Sequence, residues 1–148
     1  MPTHIVYIGL GSNLGDGPRN LDAALGLLQA QAGEVLYTSK YIESEPWGFE
    51  SEFSFTNAVT VISTALEPIA LLDVTQQIER QMGRTHKHLP GQDYTDRIID
   101  LDLLTYDDLQ MQTPRLTLPH PHIDKRDFVR LPLLECQEAM RDRINNEQ

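Results

Sequence analysis

With 148 residues, 40% of them hydrophobic and 23% charged, the chain has the makeup of one folded domain, residues 1–148, and not of a disordered tract. No apolar run approaches the ~20 residues needed to cross a bilayer, and a formal net charge of −10 argues against a nucleic-acid partner, whose phosphates demand a basic surface. Cys136 is the only cysteine, which excludes an intramolecular disulfide and a cysteine metal cage, and with no leader-like N-terminus a cytoplasmic location is expected.

His4–Leu10 is an apolar, β-branched run and predicts a buried strand. Gly9, Gly11, Ser12, Asn13 and Gly15 follow as a turn, with glycine spacing that does not fit a dinucleotide fingerprint. Pro18 then suits a helix start, and Leu21, Ala24, Leu25, Leu28 and Ala32 form a 3.6-residue stripe ending at Gly33. Glu34–Glu45 reads as a strand closed by Pro46-Trp47-Gly48, and Phe53–Thr64 as another, with Phe53, Phe55, Asn57, Val59 and Val61 on one face. A second helix opens at Pro68, turns Leu71, Thr75, Ile78 and Met82 inward, and stops at Gly83.

Thr85–Asp96 lacks periodicity and contains Pro90-Gly91, which predicts a long loop closing over a bound ligand. Ile98–Tyr106 is a strand, and prolines at 114, 119, 121 and 132 predict an irregular C-terminal extension with room for a short helix. The order βαββαβ predicts an α+β, ferredoxin-like fold: a four-stranded antiparallel sheet with its helices packed on one face.

Charge is unevenly spread. Arg80–Arg130 holds eight Lys/Arg, eight Asp/Glu and four of the five histidines, so the rest of the chain carries the whole −10. That suits a small, highly charged anion held with a cation. Alternation puts Asp100 and Asp102 on one strand face while Ile99, Leu101 and Leu103 face the core. Two carboxylates roughly 7 Å apart repel unless a cation lies between them, and Mg²⁺ is commonly held by one or two carboxylates plus substrate phosphates. A bare pair of this kind also fits a solvated strand face.

Gln76 and Glu79 point the same way from the second helix, where a polar surface is the ordinary reading. Arg84 and Arg97 flank the loop and offer the forked geometry that suits phosphate, although either alone reads as a surface ion pair. His120 and His122 form an H-x-H pair without a third ligand at zinc-site spacing, so phosphate contact is preferred for His120 and an incidental role for His122. Phe55 and Asn57 offer a ring and an amide for a flat heterocycle, with core packing as the plainer alternative for Phe55.

Together these segments resemble the 6-hydroxymethyl-7,8-dihydropterin pyrophosphokinase family of folate biosynthesis. The matching motifs are Gly11-Ser12-Asn13, Glu45-Pro46-Trp47-Gly48, Phe55-Thr56-Asn57-Ala58 and Gln76…Ile78-Glu79…Gly83-Arg84. They continue through Arg97-Ile98-Ile99-Asp100-Leu101-Asp102 and Pro119-His120-Pro121…Arg126-Asp127-Phe128. The R-x-I-D-L-D segment followed by P-H-P is the most specific part, and the glycine turn the least.

The resemblance implies transfer of the terminal pyrophosphate of ATP to the pterin hydroxymethyl group, releasing AMP. It implies that Asp100 and Asp102 hold two Mg²⁺ ions, that Gln76, Glu79, Arg84, Arg97, His120 and Arg126 line the nucleotide, and that Arg84, Arg97, Asp100 and Asp102 act in catalysis. It further implies that Phe55 and Phe128 sandwich the pterin, that Asn57 bonds its edge, and that backbone near Ser44 and Trp47 completes the pocket. A monomer acting on small molecules is expected. His86 stands where relatives often carry a second arginine, Thr95-Asp96 replaces a Gly-Pro, Tyr94 stands near a usual tryptophan, and Phe55 replaces a common tyrosine. Competing readings are a nucleotidyl transferase or cyclase, which would release pyrophosphate instead, and a non-enzymatic small-molecule regulatory module.

Overall fold

The computed structural model describes residues 2–44, 55–83 and 98–146. The apolar N-terminal run becomes β1, His4–Ser12, and it occupies the middle of the sheet because both its edges are paired. Its neighbours are β4, Phe55–Thr64, and β5, Asp100–Tyr106, and β4 is flanked in turn by β2, Glu34–Thr38, and β3, Ile42–Ser44. Every pairing is antiparallel, in the order β2-β4-β1-β5 with β3 also on β4. This is the ferredoxin-like arrangement expected from the element order.

The expected single strand from 34 to 45 is broken. Thr38 pairs with Thr60 and Ile42 with Asn57, so one strand advances by an extra residue relative to the other. Ser39 fills the break: its backbone N–H donates to the Val59 carbonyl at 2.8 Å, and its hydroxyl accepts from the Val59 N–H at 3.0 Å. A side-chain oxygen thus stands in for a missing ladder acceptor.

Helix α1, Gly17–Gln31, starts on Asp16, whose carboxylate accepts from the Arg19 N–H at 3.1 Å, with Pro18 in the first turn. Helix α2 spans Pro68–Gln81. Both lie on one sheet face, and the main core between them and the sheet includes Val6, Ile8, Leu10, Leu21, Leu28, Ile62, Leu71, Ile78, Leu101 and Leu103. Gly33 passes so close to the Ser63 carbonyl that any side chain would collide with it, which explains the glycine after the α1 stripe.

The C-terminal region is more regular than its prolines predict. After a two-strand ribbon of β6, Met111–Gln112, and β7, Thr117–Leu118, comes helix α3, Asp127–Asn146, which runs for 20 residues. Pro132 lies within α3 and removes one intrahelical donor, yet Pro132, Leu133 and Cys136 are buried. The helix covers the second sheet face, where Leu133 and Cys136 pack on Val59 and Leu104, with Tyr7, Ile123 and Val129 at the margin.

At its far end β5 is moored to the frame. The Tyr106 hydroxyl donates to the Leu66 carbonyl at 2.6 Å, and Asp107 accepts from the Ile5 N–H at 2.7 Å while its second oxygen meets His4 Nδ1 at 2.7 Å.

Candidate functional site

Strand alternation decides where the aspartates point. Leu101 and Leu103 are buried in the helix-side core, so Asp100 and Asp102 face the opposite side, the one α3 partly covers. The register between β1 and β5 then shifts, from Ile8 opposite Leu103 to Tyr7 opposite Thr105. Leu104 keeps to the aspartate side by alternation and joins the smaller cluster beneath α3, whereas Tyr106, beyond the shift, turns into the helix-side core opposite Val6.

Two rows cross the three central strands on this face. Asn57, Gly11 and Asp100 are paired in sequence across the sheet, and so are Val59, Gly9 and Asp102. With strands about 4.8 Å apart, the outer backbones of each row stand ~10 Å from each other. Asn57 is buried, and Phe55, one alternation along β4, is half-buried on the same side. Ser44 ends β3 opposite Phe55. The sheet thus brings together the amide, the ring and both carboxylates expected from the sequence.

The outer edge of β5 is covered rather than left open. Glu79, only 8% exposed, reaches from α2 so that Oε2 accepts from the Leu101 N–H at 2.8 Å. That N–H belongs to the residue between the two aspartates, so the carboxylate fixes the strand that carries them. Further along, the His120 N–H donates to the Leu104 carbonyl at 2.8 Å. Gln76 accepts at 3.3 Å from Arg115, which also pairs with Asp73 at 2.6 Å. Arg115 brings a cation to this edge that the motifs did not single out.

His120 Nδ1 accepts from the His122 N–H at 3.1 Å, which leaves the ring proton on Nε2. Burial, then the positive charge of Arg126 and the neighbouring His122, push its pKa down to about 4, against an opposing pull from Asp100. His120 is therefore a neutral donor near pH 7. Burial, Arg126 and Lys125 also lower His122, whose ring lies 5.6 Å from that of His120. The Arg126 guanidinium sits 5.8 Å from the centre of the Phe128 ring in the first turn of α3, which places a cation beside the expected stacking residue. Trp47, Arg84, Arg97, His86, Tyr94 and the loop 85–96 lie outside the described residues.

The turn after β1 is fixed by α1, since Asn20 Nδ2 donates to Ser12 Oγ at 3.0 Å and to the Leu14 carbonyl at 2.7 Å. Among the described residues no three His, Cys, Asp or Glu side chains cluster as a metal site. Two carboxylates on an accessible face still fit Mg²⁺, because that ion usually completes its shell with water and substrate phosphate. No helix among the described residues is long and apolar enough to cross a membrane.

A ferredoxin-like sheet that sets an aromatic-amide strand across from a carboxylate pair suits a small-molecule group-transfer enzyme. Residues 7–138 match the family described as 7,8-dihydro-6-hydroxymethylpterin-pyrophosphokinase (HPPK), and the chain belongs to that family. It is similar to the 2-amino-4-hydroxy-6-hydroxymethyldihydropteridine pyrophosphokinase of Porphyromonas gingivalis, at 50% identity over 87% of this chain and 88% of that protein. The Bacillus subtilis protein of the same name is 38% identical over 97% of this chain and 85% of its own length. Among solved structures, the Plasmodium falciparum HPPK-DHPS wild type with pteroate superposes with a TM-score of 0.69 at 16% identity, covering 86% of this chain. This chain spans 38% of that longer one, and the likeness speaks to fold alone.

Proposed function

We propose that the open sheet face is the active site, with its pterin side at β4 and its phosphate side at β5. The chain transfers pyrophosphate from ATP to the hydroxymethyl group of 6-hydroxymethyl-7,8-dihydropterin in folate biosynthesis. The hydroxymethyl oxygen forms a bond to the β-phosphorus, the bond from that phosphorus to the α-bridging oxygen breaks, AMP departs, and the alcohol proton is lost. The observation that carries the assignment of sides is the row Asn57–Gly11–Asp100, which sets the amide-bearing and carboxylate-bearing backbones two strands, ~10 Å, apart on one face. An acceptor held at β4 then directs its hydroxymethyl arm across the sheet towards β5.

On this reading Asn57 bonds the edge of the pterin, Phe55 and Phe128 stack on its faces, and backbone near Ser44 and Trp47 closes the pocket. Asp100 and Asp102 would hold two Mg²⁺ ions, which when bound supply charge neutralisation along the triphosphate. Arg84, Arg97 and Arg126 take up charge on the transferred group, and Gln76 helps to line the nucleotide. His120 donates from Nε2 as a neutral group, so it orients a phosphate oxygen without adding charge. Glu79 contributes through the strand, holding Leu101 and hence its two neighbours.

A buried Cys136, with its thiol on the Val59 carbonyl and its pKa raised to about 12, chiefly by burial, is compatible with the reducing cytoplasm. We assign the chain to that compartment as a monomer, which sedimentation of the purified protein tests. The decisive assay is incubation with ATP, hydroxymethyldihydropterin and Mg²⁺ followed by nucleotide chromatography. AMP that requires both pterin and Mg²⁺ is expected. ADP would point to single phosphoryl transfer, and release of free pyrophosphate to attack at the α-phosphorus.

A further inference from the structure

We propose that Gly11 is a positioning residue for acceptor recognition: it is the seat on which the Asn57 amide rests, so it sets pterin affinity separately from nucleotide affinity. The inference rests on the pterin role proposed above for Asn57. Gly11 lies in the central strand of the sheet, where glycine weakens the ladder and is normally avoided. Its backbone does not demand glycine either, since the positive-φ glycines among the described residues are Gly15 and Gly83. The demand comes from above the sheet. A Cβ at Gly11 would stand 3.1 Å from Asn57 Oδ1 and 3.7 Å from Phe55 Cδ1, touching the two side chains assigned to the acceptor.

The other close-packed glycines differ. Gly17 and Gly33 are held against Thr56 and the Ser63 carbonyl, so packing within the fold accounts for them. Gly9, on the same face as Gly11, has Leu104 carbons at 3.6, 3.7 and 3.8 Å from the corresponding point, an ordinary contact that a methyl group tolerates. Only at Gly11, among these four, would the added atom push on a polar group that faces the acceptor. A methyl there obliges the amide to give by a few tenths of an ångström, which shifts the group assigned to read the acceptor.

The test is a double-mutant cycle on the full chain with Gly11→Ala, Asn57→Ala and the pair, reading pterin KM, kcat and the affinity of a non-hydrolysable ATP analogue. Gly11→Ala should raise pterin KM on the order of tenfold, leave analogue affinity within about twofold, and add nothing further in the Asn57→Ala background. Gly9→Ala should behave as wild type. An unchanged pterin KM in Gly11→Ala, with Asn57→Ala still impaired, overturns the seat while leaving the pterin role of Asn57 intact. If Asn57→Ala is also unimpaired, the assignment of that strand fails and the seat with it. Should Gly11→Ala alone not fold, the pair must fold, because the clash has been removed; a pair that does not fold overturns the proposal.

Discussion

The two faces of the sheet are built from the same strands to opposite rules. On the α1–α2 side, Val6, Ile8, Leu10, Ile62, Leu101 and Leu103 meet two helices in one continuous apolar core. On the α3 side, apolar packing is confined to a small cluster around Val59, Leu104, Leu133 and Cys136, and the adjoining strand positions carry Asn57, two glycines and two aspartates. One face secures the fold. The other withholds packing over part of its area, which is where the proposed substrates would lie. A substitution should therefore register as stability on one side and as chemistry on the other.

The largest effect expected is at the aspartates. Asp100→Asn or Asp102→Asn should lower kcat by about 10²–10³-fold, with little change in melting temperature, since neither side chain is in the apolar core. Turnover near wild type at saturating Mg²⁺ would erase the distinction between the faces. Leu28→Ala, on the opposite side, should cost about 2–5 kcal/mol of stability, because Leu28 is fully buried. The pterin and ATP KM values of the remaining folded enzyme should not move. A selective rise in either KM would show that the two faces are coupled.

Glu79 bridges the two behaviours. Glu79→Leu should cost about 1–3 kcal/mol by leaving the Leu101 N–H without this acceptor. It should also raise the Mg²⁺ concentration needed for half-maximal rate, as the aspartate strand loosens. Glu79→Gln keeps an acceptor and should recover much of the Mg²⁺ response, and a Gln variant no better than Leu would assign the effect to charge instead. The smallest effect concerns His120. Its pKa falls from 6.5 in the unfolded chain to about 4 in the fold, so as pH drops the unfolded state takes up the proton first. The His120 contribution to stability is complete above 6.5 and is lost towards 4. Chemical denaturation of wild type and His120→Gln across that window should show the steeper loss in wild type, and parallel curves would refute it.

Much of the stability face was legible in the sequence, because a 3.6-residue stripe such as Leu21–Ala24–Leu28 and the alternation Leu101–Leu103 are local patterns with one packing solution. The paired aspartates were legible for the same reason. Helix α3 was obscured by Pro132, since the proline signal is local and the burial of that residue is tertiary. The break at Ser39 carries no glycine or proline to announce it. Glu79 reads from spacing as helix surface and from the resemblance as a nucleotide contact, and nothing nearby in sequence reveals that the Leu101 N–H needs an acceptor. Gly11 was hidden in plain view: read along the chain it belongs to a turn, and only pairing across the sheet sets it beneath Asn57.

The shift of register in β5 gives that strand some mechanical slack. Its distal half is moored through Tyr106 and Asp107 to the start of β1 and the approach to α2. Its proximal half carries the aspartates and is held from the side by Glu79. A bulge between the two bends the strand and concentrates twist at that point. Substitutions in the turn beyond Asp107 are therefore expected to leave the aim of Asp100 and Asp102, and any chemistry proposed for them, unchanged.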